Sequence, residues 1–145
     1  MIDVGVYIHI PFCKTICPYC SFYKMPVEKG AQDTFCDALL TELTYYEAGA
    51  SDVRVSSIYF GGGTPNTMST DAIKMIIQAI KDRFEWQDSV EISLEMNPDL
   101  CDEAYLEKLF KMGVNRLSFG VQSSHETELK FLGRSHTFKD VQNLQ

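Results

Sequence analysis

Two kinds of hydrophobic pattern alternate along this chain, and the alternation limits the possible fold more than any other feature. Short apolar runs rich in β-branched residues are separated by stretches with an apolar residue at every third or fourth position. The short runs predict four strands, at residues 4–10, 57–60, 90–96 and 116–121. Strands that alternate with helices form parallel sheets with right-handed crossovers. The sequence therefore predicts an α/β fold of about four βα units.

The longer stretches predict a helix after each strand. The clearest begins at the capping candidate Ser69 and carries a stripe of Ile73, Ile76, Ile77, Ile80 and Phe84. The other predicted stripes are Phe35, Leu39, Leu43 and Tyr46; Leu106, Leu109 and Phe110, ending at Gly113; Leu129 and Leu132, between a capping box of Ser123 and Glu126 and a terminal Gly133; and Phe138, Val141 and Leu144. The first strand is almost wholly apolar and is expected to be buried.

Side-chain alternation within the predicted strands places polar groups on one face of the sheet. The polar set comprises Glu91, Ser93 and Glu95 of the third strand and Arg116, Ser118, Gly120 and Gln122 of the fourth. A face covered by helices does not accommodate carboxylates, so this face is expected to line a cavity. Tyr7 and His9 share a parity in the first strand and are expected to face the same cavity. These features predict a barrel or partial barrel with its site at the carboxyl ends of the strands.

The charge balance excludes one large class of partners. The chain has 145 residues with 20 acidic and 13 basic side chains, and its net charge is -7. This is the wrong sign for binding a phosphate backbone, so nucleic acid is not an expected partner. No apolar run reaches the ~18 residues of a membrane span, and the first residues lack a secretory signal pattern. A cytoplasmic protein is expected, while the sequence carries no signal for or against association with a membrane surface.

Three of the five cysteines are spaced as metal ligands. Cys13, Cys17 and Cys20 form a Cys-x3-Cys-x2-Cys pattern directly after the first predicted strand, where barrel sites form. Thiolates at this spacing can surround one soft metal centre, and three of them leave a coordination position open for chemistry. The alternative is a closed zinc site with His9 or another residue as the fourth ligand.

The remaining cysteines carry no ligand signal. Cys36 lies near an apolar helical stripe and Cys101 beside a helix start, where cysteine behaves as a small hydrophobic residue. His125 and His136 are interpreted as surface or loop residues.

Five motifs carry a resemblance to a known family. They occupy residues 7–22, 61–65, 95–98, 113–123 and 132–136. In this order and spacing they resemble the radical S-adenosylmethionine (SAM) superfamily, in the branch that contains the oxygen-independent coproporphyrinogen III oxidases and the HemW-type heme chaperones. The resemblance implies that residues 1–145 are the amino-terminal portion of a radical SAM core domain. That portion would be part of a TIM-type barrel, truncated before the remaining strands and a carboxyl-terminal domain.

The resemblance also implies two cofactors and assigns residues to each. Cys13, Cys17 and Cys20 would hold three irons of a 4Fe-4S cluster, and the amino and carboxylate groups of SAM would chelate the fourth iron. The residues that correspond to SAM contacts of the family are Tyr7, Tyr19, Gly62, Gly63, Thr64, Glu95, Gln122 and Arg134. No catalytic side chain is assigned, because the reduced cluster cleaves SAM to methionine and a 5′-deoxyadenosyl radical, and the cofactors carry that chemistry.

Several of these residues also have a purely structural interpretation. The glycines at 61–63 are compatible with a simple strand end, since a glycine run alone is a weak signal. Glu95 and Arg134 could form a buried ion pair, and Tyr7 could fill the interior of the barrel. Their convergence on one face and one rim of the predicted sheet favours the functional interpretation.

The branch contains two functions of different classes. An oxidase uses the radical to decarboxylate the propionate side chains of coproporphyrinogen III and is an enzyme. A chaperone binds heme and delivers it to an acceptor protein. The resemblance therefore implies a tetrapyrrole partner, and with it an electron donor such as flavodoxin or ferredoxin.

The chaperone group is the closer match in several short segments. Cys20 is followed by Ser21 and Phe22, whereas the sequence that resembles it in the oxidases has Gly-Cys after the third cysteine. The other segments that look more like the chaperones are residues 97–98, 122–123 and 132–134. The sequence thus favours a heme chaperone over an oxidase.

Overall fold

Strands and helices alternate in a computed structural model that describes residues 1–144. The elements in chain order are β1 (Ile2–Ile10), β2 (Phe12–Cys13), β3 (Met25–Pro26), α1 (Ala31–Glu47), β4 (Val53–Gly62), α2 (Thr70–Arg83), β5 (Glu85–Met96), α3 (Glu103–Lys111), β6 (Arg116–Phe119), α4 (Glu126–Phe131) and α5 (Phe138–Gln142). Among residues 1–144, no helix has both the length and the apolar character needed to cross a membrane.

The main sheet is parallel throughout, as the alternation of strands and helices predicts. Its strand order is β1-β4-β5-β6, so each strand pairs with its neighbours in the series and β1 and β6 form the edges. The register places Tyr7 opposite Tyr59, and Glu95 opposite Ser118. These polar side chains therefore share one face. The two short strands β2 and β3 pair separately and join the ends of the loop that carries the clustered cysteines.

The opposite face of the sheet packs against helices in a single core. The helix α2 begins as predicted, with the Ser69 side chain accepting a hydrogen bond from the Ala72 amide at 3.2 Å. Its isoleucine stripe lies against the apolar residues of the strands, and the most deeply buried members of the core include Ile58, Phe60, Ile73, Ile76, Ile80 and Leu94. This face buries apolar area, which leaves the other face free for polar groups.

The strands differ from the sequence prediction in length and in burial. β4 begins at Val53 and β5 at Glu85, earlier than predicted, because the two strands continue to pair at their amino ends. β1 is not buried along its length. Ile8 and Ile10 are buried, whereas Tyr7 is 58% exposed. Alternate residues of β1 face the open polar side of the sheet instead of a second layer of helices, which explains the half-buried pattern.

Two predicted helical stripes contain residues that the structure exposes. Tyr46 of α1 and Phe110 of α3 are 63% and 78% exposed, so their assignment to inward-facing stripes was wrong. The rest of the α1 stripe faces the core as predicted, since Leu43 is buried and Phe35 and Leu39 pack against the core while partly buried. Gly113 follows α3 with a φ of 101°, which confirms the predicted left-handed helix end.

The predicted capping box at Ser123 is also wrong. The Ser123 hydroxyl donates to the Glu128 carboxyl group, and α4 begins after His125 without a side-chain cap. A capping box is present at α5 instead, where Thr137 and Asp140 bond each other's backbone amides. The two boxes have similar sequences, but the Ser123 side chain bonds Glu128 instead of pairing with Glu126.

Candidate functional site

The polar face of the sheet ends in a cavity of about 500 Å³ at the carboxyl ends of β4, β5 and β6. Ten of the eleven residues assigned to cofactors by resemblance line it, namely Cys13, Cys17, Tyr19, Cys20, Gly62, Gly63, Thr64, Glu95, Gln122 and Arg134. The eleventh, Tyr7, lies on the same face outside the lining. Residues from the first twenty positions and from position 134 therefore meet at one place, as the barrel prediction requires.

Backbone hydrogen bonds hold the loop that carries the cysteines against the sheet. The Met25 amide donates to the Pro11 carbonyl at 2.8 Å, and the Val27 amide donates to the Cys13 carbonyl at 3.3 Å. Within the loop, the Lys24 ammonium donates to the Cys20 carbonyl at 2.5 Å. The two backbone bonds thus fix both ends of the loop, and the Lys24 side chain bonds a carbonyl group within it.

The glycine turn after β4 packs directly against the start of this loop. Gly62 has a φ of 107°, and a Cβ there would lie 2.6 Å from the His9 ring. A Cβ at Gly63 would lie 2.7 Å from the carbonyl carbon of Pro11. No side chain fits at either position without displacing its neighbour. The Thr64 hydroxyl, next in the chain, donates to the Cys13 Sγ at 3.4 Å.

Glu95 does not pair with Arg134. Its Oε1 accepts a hydrogen bond from the Tyr59 hydroxyl at 2.6 Å, and its Oε2 accepts one from the Gly62 amide at 3.3 Å. Within residues 1–144 the Arg134 guanidinium contacts no carboxylate. The structural alternative of a Glu95–Arg134 ion pair is therefore wrong.

Three aromatic side chains extend the polar face next to Glu95. The hydrogen bond to Glu95, together with burial and the charge of the carboxylate, raises the pKa of Tyr59 to about 12. Tyr7 stacks on Tyr59 with a centroid separation of 6.1 Å, and its hydroxyl lies 3.0 Å from the His9 Nδ1. The other nitrogen of His9 lies 2.9 Å from the Tyr23 carbonyl. Both ring nitrogens of His9 are engaged away from the cysteines, which disfavours the zinc alternative.

Arg134 connects the cysteine loop to the ends of the strands. Its Nη2 donates to the Asn97 Oδ1 at 2.7 Å and to the Gly120 carbonyl at 2.8 Å. Its Nη1 lies 3.5 Å from the Cys17 Sγ and 3.4 Å from the Tyr19 hydroxyl. Burial raises the pKa of Tyr19, and the charge of Arg134 opposes that rise. One guanidinium therefore touches the wall of the cavity and a cysteine sulfur at the same time.

Two residues that support the site escaped the sequence analysis. Asn66 is buried and bonds both backbone groups of Asn97, at 3.0 and 2.9 Å. Its position directly after the motif at 61–65 was the only available signal. His136 was expected at the surface, but it is 2% exposed, with its Nε2 2.9 Å from the Val121 carbonyl. That prediction was wrong because the burial depends on a contact with a distant part of the chain.

The two unclustered cysteines behave as predicted. Cys36 is buried in the core, and Cys101 packs against its edge. Burial raises the pKa of both thiols, and neighbouring carboxylates raise it further. Both sulfurs therefore stay protonated and inert.

The clustered cysteines supply three sulfur donors to one cavity. Cys13, Cys17 and Cys20 are free thiols on its lining, and Thr64 and Arg134 donate to the sulfurs of Cys13 and Cys17. A 4Fe-4S cubane takes one thiolate at each of three different irons. This donor set fits such a cluster.

The comparison with protein families decides the identity of the fold. Residues 7–144 match the family model described as the Radical SAM superfamily. This chain belongs to the radical SAM superfamily. Membership implies a 4Fe-4S cluster and SAM as cofactors in general.

Individual relatives of this radical SAM chain include both a chaperone and oxidases. It is 38% identical over 138 residues to the heme chaperone HemW of Bacillus subtilis, covering 94% of this chain and 36% of the relative. It is 32% identical over 138 residues to the oxygen-independent coproporphyrinogen III oxidase of Paracoccus denitrificans, covering 94% and 31%.

A solved structure confirms the partial-barrel prediction. The coproporphyrinogen III oxidase HemN of Escherichia coli superposes with a TM-score of 0.89 at 28% identity, covering 94% of this chain and 32% of that one. The radical SAM chain thus spans about a third of the length of the relatives it matches.

Proposed function

We propose that this radical SAM chain holds a 4Fe-4S cluster at Cys13, Cys17 and Cys20 and binds SAM in the adjoining cavity. The observation that carries the proposal is the convergence of three free thiols with seven of the eight assigned SAM contacts on one cavity at the carboxyl ends of the strands. When bound, the cluster and SAM together supply one-electron chemistry. The protein supplies position and excludes water.

The chain's own residues divide into two groups in this proposal. Thr64 and Arg134 donate to the sulfurs of Cys13 and Cys17, and donors of this kind raise the reduction potential of a thiolate-bound cluster. Gly62, Gly63, Glu95 and Gln122 form the part of the wall that SAM would contact, with Tyr7 and Tyr19 at its margins. The remaining lone pairs of the Glu95 carboxylate oxygens can accept hydrogen bonds from the amino and hydroxyl groups of such a ligand.

We further propose that the whole protein acts in heme metabolism as a heme chaperone. The support is the Ser21-Phe22 pair after the third cysteine, with Phe22 63% exposed at the cavity, and the 38% identity to HemW of Bacillus subtilis. Its partners would be heme, an acceptor protein and an electron donor such as flavodoxin or ferredoxin, in the cytoplasm. The second candidate is a coproporphyrinogen III oxidase, which the structural likeness to HemN favours.

Reconstitution under anaerobic conditions tests the cofactor proposal. The expected product is brown and contains about four irons per chain with matching labile sulfide. One zinc and no sulfide would overturn it. SAM affinity is then measured by calorimetry on the reconstituted protein.

The choice between chaperone and oxidase is tested on a protein that spans the full length of the relatives. That protein receives reductant, SAM and coproporphyrinogen III in one arm and a heme titration in the other. Saturable heme binding without decarboxylation is the expected result. Turnover to protoporphyrinogen would replace the chaperone with the oxidase.

A further inference from the structure

Gln122 is held in a backbone conformation that residues other than glycine rarely adopt. Its φ is 69°, and it is the only non-glycine residue with a positive φ among residues 1–144. The Ser123 amide donates to the Val121 carbonyl at 2.9 Å, which closes a γ-turn around Gln122. A γ-turn of positive φ is rare and strained. Such a conformation persists only when the surrounding structure enforces it.

The enforcing contact comes from His136. This side chain is 2% exposed, and its Nε2 lies 2.9 Å from the same Val121 carbonyl. A carbonyl only accepts, so Nε2 carries the proton and donates. The other nitrogen, Nδ1, is buried without a hydrogen-bond partner within residues 1–144. The ring therefore makes one hydrogen bond, and that bond is directed at the carbonyl which closes the turn.

Arg134 holds the preceding residues of the same turn. Its Nη2 donates to the Gly120 carbonyl at 2.8 Å. A Cβ at Gly120 would lie 3.3 Å from the Gln122 Nε2 and 3.4 Å from the Arg134 Nη2, so the two side chains meet above this glycine. The segment 134–136 thus fixes the segment 120–122 at two successive carbonyl groups, and both Gln122 and Arg134 line the cavity.

We propose that His136 is a positioning residue for Gln122. Its hydrogen bond to the Val121 carbonyl stabilises the strained turn and thereby directs the Gln122 side chain into the cavity. His136 itself does not line the cavity and touches no ligand there. The consequence for SAM binding rests on the proposed function, whereas the consequence for the conformation of Gln122 does not.

Three variants separate the hydrogen bond from the volume of the ring. His136→Leu fills much of the same space without a donor, and His136→Gln offers an amide N–H to the carbonyl. His125→Leu is the matched control, because His125 is exposed and its side chain makes no capping bond. The first measurement is the amide-to-Hα coupling of Gln122, read both as the intraresidue NOE, which is strong at positive φ, and as the three-bond scalar constant; together they report φ without any ligand. The second is the SAM dissociation constant of the reconstituted protein.

The leucine variant is expected to change the coupling of Gln122 and to weaken SAM binding about tenfold, as for loss of one buried hydrogen bond. The glutamine variant should keep the wild-type coupling and bind SAM within about threefold of wild type. His125→Leu should change neither. An unchanged coupling in His136→Leu would overturn the inference.

Two further outcomes remain decisive. If His136→Leu fails to fold, the glutamine variant decides, since a wild-type coupling supports the role of the hydrogen bond and an altered one overturns it. If wild-type protein does not bind SAM, the proposed function fails, and the coupling of Gln122 in the variants still supports or overturns the role of His136.

Discussion

Asn66 and Asn115 make the same kind of contact at opposite ends of the sheet, in very different surroundings. The Asn66 amide bonds the N–H and C=O of Asn97 at the carboxyl end and is 5% exposed. The Asn115 amide bonds the Ile92 N–H and the Val90 carbonyl just before β6, each at 2.9 Å, and is exposed. Because Asn115 is exposed and Asn66 is buried, water competes more readily for the second set of bonds than for the first. The same chemistry is therefore expected to matter more for stability at one site than at the other.

Charged groups show the same difference between the two ends. At the amino end, Arg54 and Asp3 pair at 2.9 Å with side chains 40% and 46% exposed, where solvent screens the interaction. At the carboxyl end, the Arg134 guanidinium donates to Asn97 and to a backbone carbonyl inside the cavity wall. Polar groups at the carboxyl end thus depend on one another, which is the arrangement expected of a pre-organised site.

The largest effect should follow from removing the cysteines of the carboxyl end. Changing Cys13, Cys17 or Cys20 to alanine is expected to abolish the cluster, because each thiolate would be a direct iron ligand. Iron and labile sulfide per chain are the measurement. Cys36→Ala and Cys101→Ala serve as controls and should retain wild-type iron. Equal iron content in the two groups would show that the division of the cysteines is wrong.

A smaller effect is expected from the two asparagines. Asn66→Ala should lower the free energy of unfolding by about 1–3 kcal/mol, because it leaves buried backbone groups of Asn97 without partners. Asn115→Ala should cost less, about 1 kcal/mol, because the Asn115 side chain is exposed and water can take over part of its hydrogen bonding. Urea denaturation of both variants measures the difference. If the two variants lower the free energy of unfolding by the same amount, the proposed difference between the two sites is wrong.

The smallest effect concerns the titration of Tyr59. Its pKa of about 12, raised mainly by the hydrogen bond to Glu95 from a usual value of 10.0, favours the neutral phenol in the folded state. The resulting contribution to stability is fully present below pH 10 and is lost as the pH rises toward 12. Absorbance of tyrosinate follows the titration, and Tyr59→Phe identifies the signal. Glu95→Gln should move the midpoint back toward 10, and an unmoved midpoint would contradict the assignment.

Local patterns in the sequence were sufficient for the helix-covered side of the molecule. The stripe of α2 follows the helical period, and Ser69 caps it from the adjacent position, so neither feature depends on distant contacts. The cysteine spacing likewise lies within one loop. Side-chain parity placed Glu95 on the cavity side because alternation along a strand is a local property. Gln122 also lines the cavity, but it lies beyond the end of β6 and reaches the cavity through a turn that parity does not predict.

The supporting contacts of the site depend on partners far away in the sequence. His136 lies next to polar residues and has no apolar pattern, and its burial arises from a carbonyl 15 positions earlier. Asn66 is fixed by a residue 31 positions later. The side chain of Ser123 was predicted to pair with Glu126 and bonds Glu128 instead. The hydrophobic periodicity of the sequence does not indicate contacts of this kind.

The hydrogen bond between Arg134 and Cys17 joins residues 117 positions apart, which has a consequence for biosynthesis. At roughly 5–20 residues per second, a ribosome needs roughly 6–23 s to add the residues between them. The sheet grows in chain order, so β1 and β4 can pair while the last wall of the cavity is still untranslated. During that interval the Cys17 thiol of the nascent chain lacks its arginine partner, and the cavity stays open on that side until residue 134 has been made.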